Sequence, residues 1–118
     1  MCSMRKDDGA ALLHMRDAAR EAVGFTVNRI RIDLDNDQML VFALVKAVEI
    51  VGEAANQVLE VTRSKLPRLP WADIIGMRHR LVHAYFDINL DILWQTVQRD
   101  LPPLITALDD ALAGEEGD

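Results

Sequence analysis

The chain has 118 residues, half of them apolar, with 13 lysines and arginines against 19 aspartates and glutamates, a formal net charge of −6. That length supports one domain, residues 1–118, with a core of its own, and the apolar share excludes disorder as the main state. The negative sign excludes indiscriminate coating of nucleic acid while leaving room for a local basic site.

Cys2 is the only cysteine, so an intramolecular disulfide framework is excluded and a free thiol is expected. No run of 18 apolar residues appears, and the stretch Met1–Asp8 lacks the apolar centre of a signal peptide. The expectation is a cytoplasmic protein without membrane association.

Four helical segments follow in chain order, with almost no strand signal. The first spans about Asp8 to Thr26, where Leu12, Met15, Ala19, Ala22 and Val23 recur at helical spacing and Asp7 or Asp8 is a capping candidate. His14 stands alone on it and reads as structural or exposed. A polar stretch, Asn28 to Asp37, comes next. Its Asp33-x-Asp35-x-Asp37 spacing resembles the start of a calcium loop, but Gln38 and Leu44 occupy the glycine and closing glutamate positions, so these acids read as caps for the following helix.

The second segment, roughly Asn36 to Ser64, is the longest. Val41, Leu44, Val45, Val48, Val51, Ala55 and Val58 form one apolar stripe, and Glu49, Glu53, Asn56 and Glu60 a polar one; for Glu49 and Glu53 a solvated face is favoured over a contribution to a site. Gly52 falls in mid-helix, where glycine costs about 1 kcal/mol against alanine. It reads as a close helix contact or, failing that, as room for a ligand or partner helix. Pro67 and Pro70 end this pattern, and Pro70-Trp71 opens a third helix reaching Tyr85. Asp87-Ile88-Asn89 is a connector with two capping candidates. The fourth helix begins near Leu90, Pro102-Pro103 should kink or split it, and Leu104–Leu112 continues as a short last helix before an acidic tail, 113–118, expected to be disordered.

Charge is unevenly placed. Residues 63–80 hold five basic side chains (Arg63, Lys65, Arg68, Arg78, Arg80) and one acid, Asp73, inside an acidic chain. A phosphate could be held there, or these could be solvated helix ends. The segment Gly76-Met77-Arg78-His79-Arg80-Leu81-Val82-His83-Ala84-Tyr85-Phe86 adds two histidines and a tyrosine. On one helix His79 and His83 would stack, and Arg78 and His83 would lie about 140° apart. Histidine can move protons near neutral pH and arginine can bind phosphate bidentately, so together they could cleave RNA without a metal. One straight helix does not aim both at a single phosphate, whereas two copies about a two-fold axis could. The alternatives are a helix end balancing its own dipole and a metal site on His79 and His83, for which no third ligand is evident in sequence.

Arg78-His79-Arg80-Leu81-Val82-His83-Ala84-Tyr85 resembles the Arg-x4-His-x-Tyr signature of the HEPN superfamily in its HepT toxin branch. The resemblance extends to Glu49-Ile50-Val51-Gly52-Glu53-Ala54, to Pro70-Trp71 and Gly76-Met77-Arg78, and to Tyr85-Phe86-Asp87, Trp94-Gln95-Thr96-Val97 and Asp100-Leu101-Pro102, in order, over roughly residues 40–105. Ala84 stands where glycine is usual, and the first 35 residues match only loosely.

The resemblance implies an all-α, HEPN-like antiparallel bundle of four to five helices, a two-fold homodimer or a higher hetero-oligomer, and a metal-independent ribonuclease with no cofactor. It implies that His83 is catalytic, that Arg78 binds phosphate or stabilises charge, and that His79 and Arg80 support RNA binding. It further implies a partner antitoxin of the minimal nucleotidyltransferase type, which silences the toxin by transferring AMP to Tyr85. The competing expectation is a non-catalytic HEPN module that binds a nucleotide or the partner.

Overall fold

The computed structural model describes residues 6–82 and 87–116. Helix α1 is Lys6–Phe25, α2 the single turn Asp33–Asn36, α3 Gln38–Gln57, α4 Glu60–Lys65, α5 Trp71–Ile75, α6 Met77–Leu81, α7 Leu90–Gln95 and α8 Leu101–Glu116, with a π-helical turn, Thr96–Asp100, joining α7 to α8. The expected all-α class holds, and among the described residues extended pairing is confined to one antiparallel bridge between Val82 and Ile88.

The apolar stripes read from the sequence form the core. Leu12, Met15, Ala19 and Ala22 of α1 are buried against Leu44, Val48, Val51 and Ala55 of α3, with Leu93, Val97, Leu101 and Leu108 closing the other side. Polar links set the directions. Asp8, at the start of α1, accepts hydrogen bonds from Leu59 N and Thr62 Oγ1 just beyond the end of α3. Thr26, just past α1, accepts from Gln98 in the turn that leads into α8, and Asp109 takes Arg16 and Arg20. Helix α1 therefore runs antiparallel to both α3 and α8.

Several helix ends agree with the sequence reading. Asp37 caps α3 by accepting from Leu40 N at 3.1 Å, and Asn89 caps α7 by accepting from Ile92 N at 3.0 Å. Asn28 turns the chain out of α1 at φ 63°, in the left-handed region that asparagine tolerates. Arg31 then ties the α2 turn to α7 through Asp91 at 2.7 Å, and that hydrogen bond is the main reason its pKa is raised.

Four expectations are corrected. The long second helix is two helices. Val58 and Leu59 are extended, although neither glycine nor proline stands there. The break is stabilised from elsewhere: Arg63 donates to Ala55 O, Asn56 O and Val58 O, covering the end of α3, while Asp8 receives the Leu59 N–H. Asp8 itself is fully buried.

The third helix is also two, jointed at Gly76, and α6 stops at Leu81. Val82 is extended, and Asn89 N donates to Leu81 O at 2.7 Å. Finally, the prolines do not split the last helix. Leu101 N donates to Thr96 O, five residues back, so the π-helical turn just ahead of Pro102-Pro103 absorbs the lost donors and the ring clash. The backbone of α8 then runs to Glu116, past the end expected at Leu112.

Candidate active site

Helix α6 is five residues long, so its two sides are easily told apart. Met77 and Arg80 lie within about 60° of each other, and Arg78 and His79 occupy the opposite side. Met77 and Leu81 are buried, which fixes the helix in rotation and leaves Arg78, His79 and Arg80 exposed. Pro70 precedes α5, and Trp71 Nε1 donates to Leu66 O at 3.1 Å, so the linker from α4 is held where α5 and α6 can reach α3.

They meet it at Gly52. This glycine is buried, and a Cβ there would stand 3.5 Å from Ile74 O and 3.6 Å from Ile75 O. The close-contact reading of Gly52 is correct, and the same glycine also borders an open cleft. Glu49, Glu53 and Asn56 of α3, with Ile75, Arg78 and His79 opposite, line a cleft of about 450 Å³ around it.

The polar stripe of α3 is therefore more than a solvated face. Glu49 Oε2 accepts from Arg78 Nε at 3.1 Å, and its other oxygen lies 3.3 Å from Lys46 Nζ. The carboxylate is only 26% exposed, and it holds a guanidinium that is 45% exposed at the cleft edge. The arginine is oriented while its outer N–H groups remain available to an anion.

Of the residues singled out in the sequence, Arg78 and His79 are brought together. His83 and Tyr85 lie outside the described residues. Helix α6 ends at Leu81, and the expected stacking of His79 on His83, the offset of Arg78 from His83 and the His79–His83 metal spacing lie outside the described residues. Arg80 is not part of this cleft. It turns to the other side of α6 and donates to Asp73 O at 3.2 Å.

The basic segment 63–80 is thus not one patch. Arg63 covers the end of α3 and lies over the Trp71 ring at 5.8 Å, Arg78 joins Glu49, and Arg68 and Arg80 line a second cleft. Glu49 is the site residue that sequence reasoning undervalued. Its signal was the placement of an acid one helical turn before Gly52, beside the surface where α5 and α6 approach.

Comparison with known proteins agrees with the motif reading. A family model described as ribonuclease HepT-like matches residues 15–111. A candidate RNase of Methanocaldococcus jannaschii is 32% identical over 100 residues, covering 85% of this chain and 92% of that protein. A candidate RNase of Caldanaerobacter subterraneus subsp. tengcongensis is 36% identical over 84 residues, covering 71% and 75%. A candidate ribonuclease HepT of Thermococcus cleftensis is 38% identical over 68 residues, covering 58% and 62%. No solved structure gives a significant match. With the family model covering α3, the Arg78–Glu49 cleft and the signature segment, this chain belongs to the ribonuclease HepT-like family.

Proposed function

We propose that this chain is a metal-independent RNA endonuclease, acting as the toxin of a toxin–antitoxin pair. The observation that carries the reading is the presentation of Arg78 and His79, the first residues of the signature, on the open edge of a cleft, with Arg78 held by Glu49. In the reaction, the phosphate to be cut is held by the outer N–H groups of Arg78. A base takes the proton from the neighbouring 2′-hydroxyl, and that oxygen attacks phosphorus. The bond to the 5′-oxygen breaks, an acid supplies its proton, and the products end in a 2′,3′-cyclic phosphate and a 5′-hydroxyl. His83 is assigned the proton transfer, with His79 and Arg80 supporting RNA binding. A homodimer places a second signature segment beside the first, giving the two proton-transfer groups that the reaction uses.

The partner in this reading is a nucleotidyltransferase antitoxin. AMP transferred from ATP to the Tyr85 hydroxyl, forming an O–P bond as pyrophosphate leaves and the phenol proton is lost, would put a bulky anion two residues from His83, where the RNA phosphate must enter.

The test is cleavage of total RNA in excess chelator by wild type and His83→Ala, with the intact mass of each sample recorded. Cleavage by the wild type alone supports the reading. Equal cleavage by His83→Ala refutes it. Absence of cleavage by a sample of unmodified mass points to the non-catalytic binding module. Absence of cleavage with added AMP masses supports silencing through modification.

A further inference from the structure

A second cleft, of about 490 Å³, opens on the Met77–Arg80 side of α6 and shares no lining residue with the Arg78 cleft. Three arginines line it from three parts of the chain: Arg68 from the linker before α5, Arg80 from α6, and Arg99 from the π-helical turn. Pro70, Pro103 and Ala107 supply accessible apolar lining over a floor of buried Ile74, Met77 and Leu104. The bundle thus gathers three of the 13 basic residues of an acidic chain at one concave place.

The ion pairs that oppose a ligand there are weak. Arg68 faces Asp110 at 3.7 Å with both side chains more than half exposed, and Arg80 stands 4.0 Å from the Asp73 carboxylate, which is 76% exposed. Exposed pairs of this kind contribute roughly 0–1 kcal/mol, so an incoming phosphate displaces them at little cost. Arg99 makes no ion pair among the described residues.

The lining also distinguishes between anions. A bare phosphate has no use for the apolar wall or for the carboxylates of Asp73 and Asp100, which border the same cleft. A nucleotide uses all three: its phosphate takes the guanidinium groups, its base lies on the accessible apolar surface of Pro70, Pro103 and Ala107, and its ribose or base N–H and O–H groups donate to the carboxylates. The volume is in the range of small-ligand sites.

From this we infer that the Arg68–Arg80–Arg99 cleft binds a nucleotide unit, as a second contact for the RNA strand that enters the Arg78 cleft. The inference rests on the proposed RNA-cleaving function only for the identity of the polymer. Its test is therefore a binding measurement that needs no cleavage.

A short 2′-O-methyl oligoribonucleotide, which lacks the attacking hydroxyl, is titrated with wild type, Arg99→Glu, Arg80→Gln and the control Lys6→Glu, each first checked for native helix content. Lys6→Glu makes the same change in net charge as Arg99→Glu at an exposed residue that does not line the cleft. Arg99→Glu is expected to weaken binding about tenfold at low salt and to lower the salt slope by about one, with a smaller loss for Arg80→Gln and none for Lys6→Glu.

The same proteins are titrated with the four ribonucleoside 5′-monophosphates and with inorganic phosphate. If only the mononucleotides lose affinity in Arg99→Glu, the cleft is a nucleotide site whose ligand is free in solution, and the strand contact is refuted. Equal losses in Arg99→Glu and Lys6→Glu, or no loss in either, overturn the site altogether. An inactive nuclease that still shows Arg99-dependent oligonucleotide binding would refute the proposed reaction and leave this cleft in place.

Discussion

Replacing Glu49 by glutamine should tighten the hold of the Arg78 cleft on RNA. In the free protein the Glu49 carboxylate lies 3.1 Å from Arg78 Nε and is only partly exposed. A phosphate bonded to the outer edge of that guanidinium would sit roughly 6 Å from the carboxylate, and two unit charges at that distance repel by about 0.7 kcal/mol in water and about 2.8 kcal/mol at an effective dielectric constant of 20. Screening at 0.15 M salt removes about half of this, which leaves a tightening of roughly two- to tenfold.

Glutamine keeps an acceptor for Arg78 Nε, so the orientation of the arginine is retained while the charge is lost. The assay is titration of a 2′-O-methyl oligoribonucleotide at two salt concentrations. Affinity should rise, more at low salt, and the gain should fall below about twofold in an Arg78→Ala background, where the phosphate no longer has its partner. Weaker binding by Glu49→Gln would refute the reasoning, because it would mean that the carboxylate contributes to binding more than its charge opposes it.

Two stability predictions follow from the packing. Asp8→Ala removes the acceptor for Leu59 N and the buried Thr62 hydroxyl, and leaving a buried donor unsatisfied costs about 1–3 kcal/mol, so a loss of about 2 kcal/mol or more is expected in urea unfolding. A loss below about 1 kcal/mol would show that the α4 start is held by something else. Gly52→Ala should stabilise by about 1 kcal/mol, raising Tm by about 4 °C, because the new Cβ meets Ile74 O and Ile75 O at ordinary contact distances while α3 gains helix propensity. A fall in Tm would mean that the α3–α5 approach does not tolerate a methyl group.

Much of the bundle was legible because burial follows periodicity. The stripes Leu12–Met15–Ala19 and Leu44–Val48–Val51 specify which faces turn inward, and Asp37 and Asn89 mark helix starts through hydrogen bonds that span three residues. The motif order from Gly52 to Pro102 likewise identified the family from sequence alone. The stripes, the caps and each separate motif are short-range signals, complete within a few turns of the chain.

What tertiary structure alone decided has partners outside the helix concerned, some near in sequence and some far. The break at Val58–Leu59 depends on Asp8, 51 residues away, and the end of α6 at Leu81 on pairing with the strand-like segment at Ile88–Asn89. The division of the basic segment followed from the five-residue length and fixed rotation of α6, which sends Arg78 to Glu49 on one side and Arg80 toward Arg68 and Arg99 on the other. Sequence determined which faces are apolar and which residue types are available. The rotation of one short helix, set by burial of Met77 and Leu81, decided which charges meet, because a side chain's direction on a helix changes by about 100° at every residue.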